Sequence, residues 1–117
     1  MNLIVCGSGS MKDEQLIRSV LNEVHNDHRV RLVIHGGARG ADRIANNWAK
    51  DNGIKIRICK AEWKKYDKPA AGIRNQEMID KGNPGLVVAF WDGKASATKD
   101  MLVRARENEV PVQIVIV

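Results

Sequence analysis

Apolar residues along this chain follow two alternating rhythms. Short runs of continuous or period-two apolar character, at Asn2 to Cys6, Val30 to His35, Ile54 to Cys59, Leu86 to Trp91 and Val112 to Val117, predict β-strands. Between them the period lengthens to that of a helix. Leu16, Ile17, Val20, Leu21 and Val24 share one face of a helix expected from about Lys12 to His25, and Ile44, Ala45, Trp48 and Ala49 share one from about Ala41 to Asp51. Gly53 reads as the cap that ends this second helix. Two more helices are expected, from about Ala71 to Lys81, stopped by Gly82-Asn83-Pro84-Gly85, and from Thr98 to Glu107. Lys60 to Pro69, which holds Trp63 and Tyr66, reads as a longer connection.

Strands that alternate with helices need crossover connections, which are right-handed and yield a parallel sheet covered on both faces. The expected fold is therefore α/β: a Rossmann-like, doubly wound three-layer sandwich around a five-stranded parallel sheet of order 3-2-1-4-5. The winding reverses between the strands that end at Cys6 and Trp91. Ligands of such sheets bind outside the carboxyl ends of the strands at this reversal. The loops Gly7 to Ser10, Gly36 to Gly40 and Asp92 to Ser96 are expected to converge there.

Composition narrows the class. With 44% hydrophobic residues in 117, the chain has enough apolar material for one core, and without linker or repeat it reads as a single domain spanning residues 1–117. Its longest apolar runs are strand-sized and far short of the roughly 20 residues of a membrane span, so no membrane is expected. The amino-terminal run lacks the basic segment of a signal peptide, which makes a cytoplasmic location the expectation. Cys6 and Cys59 fall in apolar strands and read as small buried hydrophobes. They are too few and too isolated for a metal motif or a disulfide framework, and neither a metal nor a cofactor is expected. The net charge of +5 suits a nucleic-acid backbone and a small polyphosphate ligand equally well.

Glycine-rich turns that lead into helices expose free N–H groups at the positive end of a helix dipole and suit phosphate oxygens. Gly7-Ser8-Gly9-Ser10 is such a turn, but it lacks the third glycine of the dinucleotide fingerprint, and the second strand ends in His35 rather than in an acid for a ribose. No Gly-Lys-Ser/Thr phosphate loop occurs. Gly36-Gly37-Ala38-Arg39-Gly40-Ala41-Asp42 is more specific, pairing close backbone approach with an arginine fork, and Asp42 is a candidate for a ribose hydroxyl. His35 reads as a packing residue, and His25 and His28 as solvated. Arg74 and Asn75 open the third helix and are expected to point back across the crevice, with Trp63 and Tyr66 as base-stacking candidates. Asp92, Gly93, Ser96 and Thr98 bring a turn and hydroxyls to the last helix as caps or phosphate ligands.

Taken together, Gly36 to Asp42 followed by Trp48-Ala49, then Trp63 and Tyr66, Ala71-Gly72 with Arg74-Asn75 and Met78, and Phe90-Trp91-Asp92-Gly93 running into Thr98 resemble the SLOG superfamily. This Rossmann-like group includes the DNA-processing protein DprA and the Lonely Guy nucleotide phosphoribohydrolases, and the chain is most similar to its small YspA and cpYpsA-related branch. The resemblance implies binding of a nucleotide or nucleotide derivative in the crevice, often by homo-oligomers. In Gly93 to Thr98, Ala97 replaces the last glycine of the superfamily's Gly-Gly-x-Gly-Thr loop. The catalytic glutamate of the phosphoribohydrolases corresponds to Met101, and Asp100, one position away, is the remaining weak catalytic candidate. Three functions follow as expectations: a sensor or binding protein for an ADP-ribose-like phosphate ligand, a nucleotide N-glycosidase, or a binder of single-stranded nucleic acid of the DprA type. The first is favoured and an enzyme disfavoured.

Overall fold

The computed structural model describes residues 1–117. Five strands, β1 (Asn2–Gly7), β2 (Leu32–His35), β3 (Lys55–Ile58), β4 (Leu86–Trp91) and β5 (Val112–Ile116), form one sheet. Its order is β3-β2-β1-β4-β5 and every pairing is parallel, as the alternation of strand and helix required. The helices are α1 (Glu14–His28), α2 (Ala41–Asp51), the single turn α3 (Trp63–Tyr66), α4 (Ala70–Gly82) and α5 (Ser96–Glu107).

Side-chain alternation along the central strands divides the core. Leu3 and Val5 of β1 and Val88 and Phe90 of β4 point to the face covered by α1 and α2, where they pack with Ile17, Leu21, Val24, Ala45 and Trp48. Ile4, Ile34 and Val87 point the other way, into a smaller cluster with Met78 and Ile79 of α4 and Met101 and Ala105 of α5. The two central strands are thus apolar on both faces, which explains the near-continuous run from Leu86 to Trp91. The edge strands β3 and β5 are largely exposed.

Boundaries differ from expectation where local contacts outweigh the pattern. The first helix begins at Glu14 rather than near Lys12, because Met11 is buried and its amide donates to the Ser8 carbonyl at 3.1 Å; Asp13 then caps the helix by accepting the Leu16 amide. The same helix continues to His28, so His25 is not a solvated surface residue. Its Nδ1 accepts the Val30 amide at 2.9 Å and its ring meets Trp48 edge-on. The expected long connection contains the helical turn α3, and the last helix starts at Ser96. No helix is long and apolar enough to cross a membrane.

Candidate functional site

At the carboxyl edge of the sheet an open cleft of about 880 Å³ lies between the β2–α2 loop, the β3–α4 connection and the first turns of α4 and α5. This volume falls within the range of small-molecule sites. Its lining carries the cations Lys60, Lys68, Arg74 and Arg104 and a lone acid, Asp100.

The glycine loop on one wall is built differently from the expected phosphate cradle. Gly36 and Ala38 donate their amides to Asp42 Oδ2 at 3.0 and 3.2 Å, and Gly37 donates to His35 Nδ1 at 3.0 Å. The amides of Gly36, Gly37 and Ala38 therefore turn away from the cleft and into the loop's own support. Asp42, buried at the start of α2, holds the loop rather than presenting a carboxylate to a ribose. Burial raises its pKa, opposed by the amides and by the charges around it. His35 completes the support through a 2.8 Å contact between its Nε2 and Asn46 Oδ1.

Free amides come instead from helix starts. Pro69 precedes α4 and Ala95 precedes α5, and neither offers a side-chain cap. The first amides bonded back to those carbonyls are Ile73 and Lys99, so Ala71 and Gly72 in one helix and Ser96 and Ala97 in the other keep donors without an intramolecular acceptor. All four residues line the cleft. The amino-terminal ends of two helix dipoles meet there.

The arginines beside these donors are held in place. Asn75, buried one residue after Arg74, accepts from Arg74 Nε at 2.9 Å and donates to the Ala97 carbonyl at 3.1 Å and to Asp100 Oδ2 at 2.9 Å. Asp100 Oδ2 also accepts Arg104 Nε at 2.8 Å, and Arg104 Nη1 donates to Gln76 at 3.2 Å. Asn75 is thus the link that orients both guanidiniums and ties α4 to α5. Arg74 lies close against Gly36: a Cβ there would overlap its guanidinium. Neither arginine has a hydrogen-bond partner at Nη2, which leaves two charged donors for a ligand.

Of the other residues singled out in the sequence, Gly36, Gly37, Ala38, Arg74, Ser96, Trp63 and Asp100 line the cleft. Gly7, Ser8, Gly9, Arg39, Asp92, Gly93, Thr98 and Tyr66 do not. Gly7 packs beneath Ala41 and Phe90, Ser8 is buried with its hydroxyl accepting the Asp92 amide at 3.2 Å, and Thr98 is buried. The first and last loops do meet across the reversal of winding, but they seal against each other. Arg39 is exposed outside the cleft. Lys60, Lys68 and Arg104 were missed because isolated cations read as solvated charges. The spacing of Asp100 and Arg104, four residues apart on one helix face, was the available signal.

Asp92 accepts the amides of Lys94 and Ala95 at 2.8 Å each, and these bonds, the Ala95 one foremost, lower its pKa. The sign follows. Stability from a depressed carboxylate is complete above the unfolded value of about 3.9 and disappears as pH falls through the folded one. Asp92→Ala is expected to be less stable than wild type at pH 7, with the gap closing in acid, as followed by denaturant unfolding at several pH values. Desolvation raises the thiol pKa of Cys6 and of Cys59, with the neighbouring acids Asp42 and Glu77 adding to it, which disfavours the thiolate at both positions.

A family model described as YAcAr, the YspA, cpYpsA-related SLOG family, matches residues 1–66. The Gene 61 protein of Mycobacterium phage D29 is 32% identical over 116 residues, covering 94% of this chain and 92% of that protein. The chain belongs to the YspA, cpYpsA-related SLOG family. Its fold is also that of the DNA processing protein A (DprA) of Streptococcus pneumoniae, with a TM-score of 0.76 at 18% identity over 97% of this chain and 49% of that one. MurG of Acinetobacter baumannii follows at a TM-score of 0.63 and 12% identity, over 97% of this chain and 34% of that one. The chain thus spans about half the length of the DprA structure and a third of the MurG structure. In this SLOG chain Met101 is fully buried in the core cluster that also contains Met78. Asp100, one residue before it, lines the cleft.

Proposed function

We propose that the cleft binds a phosphate-bearing nucleotide or nucleotide derivative, such as an ADP-ribose-like molecule, and that the protein acts as a binding protein or sensor. One observation carries this reading: two uncapped helix starts and four cations face one cleft with a single carboxylate among them. An anion is the ligand that satisfies the free amides and neutralises the charge. Trp63, more than half exposed at the rim, offers an aromatic face for a base. Binding is favoured over N-glycosidic hydrolysis because the buried Met101 places no carboxylate at the position that the phosphoribohydrolases use.

Thermal-shift screening of a nucleotide panel tests the proposal, because a ligand present at 100 times its dissociation constant adds about 2.7 kcal/mol of stability. A mononucleotide or dinucleotide is expected to give that shift. Arg39→Ala is expected to keep it, because that side chain lies outside the cleft. Longer single-stranded oligonucleotides that bind more tightly than any mononucleotide, with steep salt dependence, would instead support a nucleic-acid ligand.

A further inference from the structure

A carboxylate in a cleft otherwise built for anions repels the ligand it lines up against, and Asp100 is the lone acid in this lining. One of its oxygens is accounted for: Oδ2 accepts both Asn75 Nδ2 and Arg104 Nε. Its other oxygen, Oδ1, accepts no hydrogen bond, although the side chain is about one-third exposed (35%). Beside it Arg104 Nη2 is likewise unpartnered. Both atoms are reached over Gly72, where a Cβ would stand 3.6 Å from Asp100 Oδ1 and 2.8 Å from Arg104 Nη2. Any larger residue at position 72 would push Arg104 aside and crowd this pair.

An anionic acceptor next to a cationic donor excludes a phosphate oxygen from the acceptor and requires a group that donates and accepts at once. A hydroxyl does both. The free amide of Gly72 is part of the proposed phosphate site, so the hydroxyl must lie within one sugar of a phosphate. Resting on the nucleotide reading above, we infer that Asp100 and Arg104 read the sugar: Oδ1 accepts from, and Nη2 donates to, the 2′ and 3′ hydroxyls of a ribose. The ligand is therefore a ribonucleotide and not its deoxy counterpart. Gly72 is the residue that keeps this position open.

The test is titration calorimetry of the full chain with ADP, 2′-deoxy-ADP and 3′-deoxy-ADP, and with the diphosphates of the other three common ribonucleosides and their deoxy forms. Wild type is expected to bind at least one ribonucleoside diphosphate about tenfold or more tightly than its deoxy forms, the difference one charged hydrogen bond makes. Asp100→Asn keeps an oxygen for Asn75 and Arg104 and turns the free atom from acceptor to donor. It is expected to reduce the ribo-over-deoxy preference to about twofold or less, read as a ratio because loss of the repelling charge raises affinity for both forms alike. The wild-type comparison needs no variant, so a folding defect in Asp100→Asn leaves the inference exposed to test. Equal affinity for ribo and deoxy forms overturns it but leaves the phosphate site standing, as does a preference that follows the base and not the sugar. Absence of binding by every diphosphate overturns the inference, and the functional reading falls with it when the nucleotide panel gives no thermal shift either.

Discussion

Gly40→Ala is expected to lower stability by more than about 3 kcal/mol, a loss of roughly 10 °C or more in Tm for a domain of this size. Gly40 precedes α2 at φ 76° and ψ −125°, a conformation open in practice only to glycine. A Cβ there would stand 2.7 Å from the Ser8 carbonyl oxygen, 3.1 Å from that of Met11 and 3.2 Å from that of Gly9. Three backbone groups cannot turn aside as a flexible side chain would, so the loops after β1 and β2 would have to separate. Gly9 is the internal control: a Cβ there meets nothing within 4 Å and its φ is not positive. Gly9→Ala is expected to change stability by less than about 0.5 kcal/mol. Denaturant unfolding of both variants checks the contrast. A Gly40→Ala protein as stable as wild type would show that the two loops are not locked together.

The second large effect is on affinity. Arg74→Ala and Arg104→Ala each remove one charged donor, and a hydrogen bond to a charged group contributes about 1.5–3 kcal/mol. Each single variant is therefore expected to weaken nucleotide binding by about tenfold to a hundredfold, and the double variant by about a hundredfold to a thousandfold. The losses are expected to add imperfectly, because both arginines hang on Asn75 and Asp100. Arg74→Lys is expected to fall between wild type and Arg74→Ala. A lysine keeps the charge, but it loses the fork that donates to Asn75 while leaving Nη2 free. Calorimetry at two salt concentrations checks the charge dependence, since removing a cation should flatten the salt response. Unchanged affinity in the double variant would place the ligand elsewhere.

The fold was legible because each of its rules is local. Strand and helix periods alternate without interruption, and an apolar run such as Leu86 to Trp91 has no place except a strand covered on both faces. Strand order then followed from the handedness of crossovers. What escaped was α3, since four residues, Trp63 to Tyr66, are too few to show a helical period.

The candidate site was legible only in part, and the reason is physical. Sequence shows that a glycine is present but not what occupies the space it leaves. Gly7 and Gly40 let loops and strands touch, Gly36 lets an arginine approach closely, and Gly72 clears the way to Asp100 and Arg104. Sequence likewise shows that a loop has amides but not who accepts them, and in Gly36 to Ala38 the acceptors are Asp42 and His35. The glycine signature drew attention to the correct edge of the sheet, yet the free helix-start donors that line the cleft belong to the less conspicuous starts of α4 and α5. Arg74 was identified because it sits at such a start. Asn75 was also singled out, but as a ligand group, whereas its side chain is spent on orienting the arginines.

Chemical-shift mapping of backbone amides by NMR, during titration with a nucleotide that stabilises the protein, tests the central claim most directly. The account predicts that the largest shifts fall on Ala71, Gly72, Ser96 and Ala97, whose N–H groups are free and face the cleft. Shifts concentrated at Gly7 to Ser10 and at Gly93, with Gly72 and Ala97 unmoved, would contradict it.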